Sequence, residues 1–120
     1  MPSAPRRVLI VDDNADAIAV MLIALKRAGH EVHVAHDGRS ALEIARRARP
    51  EFVFLDLGLP QVDGYAVARQ LRLEPELSAT RIIAITGAGL ERDREEAREA
   101  GFDHYLLKPV DLAFIESLLG

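Results

Sequence analysis

The chain has 120 residues, 49% of them hydrophobic, 28% charged and 5% aromatic, with no Trp and no Cys. This is enough apolar material for one core of Val, Ile, Leu and Ala, and it excludes a disulfide scaffold, a thiolate metal site and a cysteine nucleophile. A formal net charge of −4 argues against direct nucleic-acid binding, and the longest apolar runs fall far short of the roughly 20 residues that span a membrane.

"MPSAPRR" lacks the apolar segment of a secretory signal. Residues 1–5 read as a short disordered tail, 6–120 as one domain, and the reducing cytoplasm as the expected compartment.

From there, short apolar runs alternate with longer helical patterns, the signature of parallel strands joined by crossover helices. "RVLIVD" (7–12) predicts the first strand and 14–28 the first helix, closed by Gly29. That helix, "AIAVMLIALKRAG" from Ala17, is apolar almost all round. With Met21 and Leu25 turned to the sheet, Val20 and Ile23 point outward, a patch suited to docking a helical partner or to being covered by neighbouring loops or domains of a longer chain.

"EVHVA" (31–35) predicts a second strand, whose His33 gives it the polar alternation of a sheet edge. A helix over 38–48 opens at Asp37-Gly38 and ends before Pro50. Its "RRAR" tail, Arg46 to Arg49, reads as a solvated helix end where cations favour the macrodipole, in preference to an anion site.

"FVFLD" (52–56) predicts a buried third strand. Asp63-Gly64 then opens a helix over 64–73. "RIIAIT" (81–86), a helix over 91–100 closed by Gly101, "HYLLK" (104–108) and a helix over 111–119 complete five units. The four histidines, His30, His33, His36 and His104, show no metal spacing and are expected at the surface.

Four of the five strands end on a polar group: Asp12, Asp56, Thr86 and Lys108. In a doubly wound parallel sheet of order 2-1-3-4-5, with helices on both faces, ligands bind beyond the carboxyl ends of the strands at the switch between strands 1 and 3. Asp12 and Asp56 would flank that crevice, and Asp13 adds a third carboxylate. Three clustered carboxylates repel one another unless a hard divalent cation sits among them. Mg²⁺ suits such oxygens, Mn²⁺ would also serve, and Gly58 could add a backbone carbonyl. A phosphoryl group would find the metal, the Lys108 ammonium, the Thr86 hydroxyl and the Asp56 carboxylate as attacking oxygen. Taken singly, Asp12 or Asp13 reads better as a helix N-cap, Thr86 as an ordinary strand residue, Tyr105 as packing and Lys108 as a solvated lysine. Asn14 can cap in place of the aspartates, and the joint placement favours the site.

"VLIVDDN", "LDLGLPQVDGY", "AITG" and "YLLKP", in this order, resemble the receiver domain of two-component response regulators over nearly the whole chain. The resemblance implies a flavodoxin-like fold in which Asp56 is the phosphoacceptor. Asp12, Asp13, Asp56 and the Gly58 carbonyl would hold Mg²⁺. Lys108 would contact the phosphoryl group with a cis bond to Pro109, and Thr86 and Tyr105 would form the switch. It also implies a phosphorelay partner, a histidine kinase or a histidine phosphotransfer domain, and a protein that is not a turnover enzyme. Gly58 and Ala88 carry no side chain able to align an attacking water.

With nothing after Gly120, the expectation is a stand-alone receiver or one taken from a hybrid kinase or longer regulator. A Mg²⁺-dependent phosphohydrolase with an aspartyl intermediate, a flavin binder of the same fold, and a degenerate receiver used only for protein contacts remain as alternatives.

Overall fold

The computed structural model describes residues 4–58, 63–87, 91–108 and 110–120, the stretch 91–94 by its backbone alone. Of the expected tail, residues 1–3 lie outside the described residues, and 4–6 have no regular structure. The elements are β1 (Arg7–Val11), α1 (Ala15–Arg27), β2 (Glu31–Ala35), α2 (Gly38–Ala48), β3 (Phe52–Asp56), α3 (Gly64–Leu73), β4 (Arg81–Thr86), α4 (Glu91–Ala100), β5 (His104–Leu107) and α5 (Leu112–Leu119). The strands form one parallel sheet in the order β2-β1-β3-β4-β5. Among the described residues no helix is long and apolar enough to cross a membrane.

Four of the helix starts have a visible physical cause. The carboxylates of Asp37, Asp63 and Asp111 and the amide oxygen of Asn14 accept the first helical N–H groups of α2, α3, α5 and α1, which satisfies donors that would otherwise be orphaned. Gly29 and Gly101 close α1 and α4 with φ of 94° and 104°, a region that costs an L side chain but not glycine. A short 3₁₀ turn, Pro75–Leu77, follows α3, and no periodicity announced it.

Two strands stop one residue earlier than their sequences suggest. β1 ends at Val11 and β5 at Leu107, but the ladder runs on through single bonds: Asp12 N–H donates to the Ala35 carbonyl at 3.1 Å and Lys108 N–H to that of Thr86 at 2.8 Å. Asp12 and Lys108 therefore stay in line with their strands while leaving the pleat.

Alternating residues of the strands feed two cores. Leu9, Val11, Val53, Leu55, Ile82 and Ala84 pack under α2, α3 and α4, whereas Val8, Ile10, Phe54, Ile83 and Ile85 pack under α1 and α5. β3 is buried along its whole length, as a central strand covered on both faces must be. In α1, Ile18, Met21 and Leu25 face the sheet, the phase read from the sequence, and Val20 and Ile23 are more than half exposed.

His30 is buried rather than at the surface. Its Nδ1 accepts the Arg6 backbone N–H at 3.0 Å, and its backbone N–H donates to the Leu25 carbonyl at 3.1 Å. The residue thus ties the end of α1 to the chain entering β1, which no spacing rule reveals. His36 is exposed and His33 and His104 are partly so.

One guanidinium ties three elements together. Arg72 on α3 donates to the carbonyls of Gly101 (2.9 and 2.7 Å) and Thr80 (2.6 Å) and to the Asp103 carboxylate (2.6 Å). Losing it takes a donor from the two carbonyls, while Asp103 Oδ2 keeps the Ile82 N–H at 2.8 Å, and a hydrogen bond to a charged group contributes about 1.5–3 kcal/mol net. Arg72→Ala should lower the urea unfolding free energy by about 2 kcal/mol, and Arg72→Lys should recover less than half of that because a single ammonium cannot reproduce the fork.

Candidate active site at the carboxyl end of the sheet

Asp56 ends β3 with 3% of its surface exposed, where an unpaired carboxylate would be costly. It is paired. Lys108 Nζ stands 2.5 Å from Oδ2, and the Gly58 N–H donates to Oδ1 at 2.7 Å. The lysine reaches across from the far side of β4, and its own side chain is 38% exposed, so it presents a half-hydrated charge to a buried one. Its hydrogen bond to Asp56 holds the ammonium above the usual lysine range. The lysine's contribution is therefore present in full below its ordinary value of 10.5 and is lost as pH rises through the higher native one.

Asp12 is also buried, at 8% exposure, and Asp13 beside it is exposed. Burial raises the Asp12 pKa. The Asn14 N–H, 3.0 Å from its Oδ1, works against this, Asp56 and Asp13 push upward, and Lys108 pulls down. Asn14, not an aspartate, caps α1 through bonds to the N–H groups of Asp16 (3.0 Å) and Ala17 (3.1 Å). Both aspartates are thereby left for other work.

The three expected carboxylates share one end of the sheet without closing a cage. Among the described residues no three His, Cys, Asp or Glu side chains gather closely enough to hold a metal ion alone. Lys108 and Gly58 instead engage Asp56 directly. Thr86 is buried at the end of β4, and Tyr105 sits half-buried on β5 against the core beneath α2, α3 and α4. The Lys108–Pro109 bond and Ala88 lie outside the described residues.

Two contacts were not expected from the sequence. The Gly58 amide on Asp56 needs loop geometry that no pattern encodes, and the His36 ring, with Nδ1 3.2 Å from the Asp12 carbonyl oxygen, needs β2 to lie beside β1. Next to Asp12 and Lys108, a cavity of about 380 Å³ opens between α1 and the start of α5, lined by Val20, Met21, Ile85 and Leu112. Its apolar rim continues into exposed Val20 (58%) and Ile23 (55%).

Residues 8–119 match the family model described as the response regulator receiver domain. The chain is 32% identical over 115 residues to the polar-differentiation response regulator DivK of Brucella anthropi, covering 95% of this chain and 94% of DivK. It superimposes on the chemotaxis response regulator CheY4 of Vibrio cholerae with a TM-score of 0.88 at 28% identity, over 97% and 100% of the two chains. With the receiver domain of the sensor histidine kinase PA1611 of Pseudomonas aeruginosa PAO1, solved with a magnesium ion in its active site cleft, the TM-score is 0.86 at 34% identity, over 97% and 95% of the chains.

The raised Asp12 pKa sets a direction for stability. Between the ordinary value of 3.8 and the higher native one, the folded state binds more protons than the unfolded, so this group's contribution falls as pH rises through that window. Asp12→Asn keeps an oxygen for the Asn14 N–H and removes the charge. In EDTA its Tm should exceed the wild type's at pH 7, with the gap closing as melts are repeated toward pH 3.8.

Proposed function

The chain belongs to the response regulator receiver domain family of two-component signalling, and from that premise we propose that it accepts a phosphoryl group on Asp56 from a phosphohistidine of a partner protein. The observation that carries this reading is Asp56 itself, a buried carboxylate at the end of the central strand with Lys108 2.5 Å away. The partner is a histidine kinase or a histidine phosphotransfer domain, met in the cytoplasm.

The transfer balances without a further reactant. An Asp56 oxygen attacks phosphorus, the P–N bond breaks, and the imidazole, protonated on its other nitrogen, leaves neutral with the bond's electron pair. What the protein contributes is placement and electrostatics, because phosphoryl transfer has little covalent chemistry for it to do. Asp56 is pinned by Gly58 and Lys108, so little freedom remains to be lost on the way to the transition state. The lysine moves from the carboxylate to the phosphoryl oxygens as charge shifts outward.

Asp12, Asp13, Asp56 and the Gly58 carbonyl would hold Mg²⁺, or Mn²⁺ in its place. The donors are all hard oxygens, and the buried Asp12 carboxylate, pushed upward by burial and by its acidic neighbours, lacks the positive charge that such an ion supplies. When bound, the metal neutralises charge on the transferring oxygens.

Once esterified, Asp56 carries added charge and acceptor oxygens into a pocket that has few donors. Thr86, at the end of the neighbouring strand, supplies a hydroxyl, and Tyr105 follows it inward; this pair is the switch. A receiver of this kind signals and does not turn over a small substrate. The outward patch of Val20 and Ile23, continuous with the cavity beside Lys108, receives the partner's helix.

Two experiments test the reading. With Mg²⁺ and acetyl phosphate, mass spectrometry should place one phosphoryl group on Asp56, and Asp56→Ala should abolish it. Lys108→Ala should slow the reaction by about 10²-fold, the scale of losing one preorganised charge. Label persisting in Asp56→Ala would move the acceptor elsewhere. Ile23→Glu should weaken transfer from a phosphorylated histidine phosphotransfer domain at least tenfold and leave acetyl phosphate labelling unchanged; equal transfer would remove α1 from the interface.

A further inference from the structure

At the opposite end of the sheet, where the strands begin, lies a larger cavity of about 650 Å³ with no part in the chemistry above. Its wall carries four arginines, Arg6, Arg7, Arg49 and Arg81, against two glutamates, Glu51 and Glu76. That volume falls within the range of small-molecule pockets.

The charges are unevenly spent. Glu51 is held low, chiefly by the Arg6 side chain, which stands 2.9 Å from it, and its second oxygen lies 3.8 Å from Arg7. One carboxylate thus serves two cations. Among the described residues the Arg81 side chain meets the ring of Phe52, at 5.9 Å from the centroid, with no hydrogen bond or ion pair, and Arg49 likewise has no side-chain hydrogen bond or ion pair.

Arg49 also has a backbone reason not to be arginine. It is the one non-glycine residue with positive φ among those described, 48° at the end of α2, a position that glycine or asparagine normally takes. A side chain kept where the backbone favours none points to work done by that side chain. The loop behind it is firmly built, since the Arg49 carbonyl accepts from Arg7 Nε at 2.9 Å and the Pro50 carbonyl from the buried Thr80 hydroxyl at 2.7 Å. The guanidinium is therefore presented from a fixed base.

We propose that this cavity binds a small, multiply charged phosphate anion, of diphosphate size, through Arg49 and Arg81 with Arg7 beside them. Guanidinium forks match phosphate oxygens in pairs, and a site with more arginines than carboxylates favours a polyanion over a neutral ligand. The diphosphate can arrive free or carried on a nucleotide.

The experiment uses the whole chain in EDTA at low ionic strength, so that no divalent ion draws phosphate to Asp56. Inorganic pyrophosphate and ADP are titrated separately by calorimetry and followed by ¹H–¹⁵N spectra. Binding of either should shift amides near 6–7, 49–52 and 79–81 and leave those near 12–14 and 56–58 in place; which of the two binds identifies the carrier. Arg49→Gly should raise the Tm, because it relieves the left-handed backbone, and should weaken binding about tenfold, as should Arg81→Gln. Glu76→Gln should tighten it. A stabilised Arg49→Gly protein with undiminished affinity, shifts confined to the Asp56 end, or no binding of either anion would overturn the proposal.

Discussion

A single carboxylate driven into the carboxyl end of a parallel sheet, with a single ammonium to meet it, governs the layout of this protein. Asp56 is almost without solvent and Lys108 keeps more than a third of its side chain wet. A pair so placed is a poor source of net stability, since desolvating the carboxylate offsets most of the attraction. Its value is positional. With β3 at the centre, β1 on one side brings Asp12, and β4 and β5 on the other bring Thr86 and then Lys108. Any other strand order would separate these groups, so the topology and the site amount to one constraint.

The same end of the sheet is left short of positive charge. Asp12 is buried, and its carboxylate is disfavoured by that burial and by Asp56 and Asp13, while one lysine serves all three. Stability and function pull apart here: apolar or amide side chains would suit the folded chain better, whereas aspartates suit a divalent ion and a transferring phosphoryl group. Asn14 eases the conflict. By taking over the cap of α1, it leaves Asp12 with a single backbone bond, from the Asn14 N–H to Oδ1, and frees both aspartates from the helix cap.

Sequence patterns exposed most of the fold because each local signal agreed with the global one. Asp37 and Asp63 cap the helices they were expected to open, Gly29 and Gly101 turn where helices stop, and β3 is buried on both faces as its unbroken apolar run requires. Asp12, Asp56, Thr86 and Lys108 were visible as the polar ends of apolar runs. What stayed hidden depends on neighbours far apart in the chain. His30 looks like a surface residue until β1 brings the Arg6 amide to its ring, and His36 has no reason to approach Asp12 until β2 pairs with β1. The Gly58 amide on Asp56 is a matter of loop torsion. The Arg72 clamp joins α3 to residues 8, 29 and 31 positions away, beyond the reach of any helical or strand period.

Polarity in a doubly wound fold explains why the two ends of the sheet differ so sharply in charge. Every crossover helix starts near the carboxyl end of the strands and finishes near the other, so helix N-termini surround the aspartates and helix C-termini surround the strand starts. Lys26 and Arg27 on α1, Arg46 and Arg47 on α2 and Arg72 on α3 lie in last turns, where a cation answers the unpaired carbonyls. That accounts for much of the basic character read in "RRAR", and Arg46 adds a 2.7 Å bond to Glu74. Arg6 and Arg7, though they precede and open β1, also answer helix ends, through Nε bonds to the Leu119 carbonyl at the end of α5 (3.0 Å) and to the Arg49 carbonyl at the end of α2 (2.9 Å), whereas Arg81 opens β4 and ends no helix. Nor does the dipole explain Arg49, whose left-handed backbone already ends the helix and would do so more comfortably as glycine. The dipole therefore explains the cations on the helices. Of the arginines lining the cavity, that leaves Arg49 and Arg81, which have no carboxylate partner among the described residues and are the two on which the proposed anion depends.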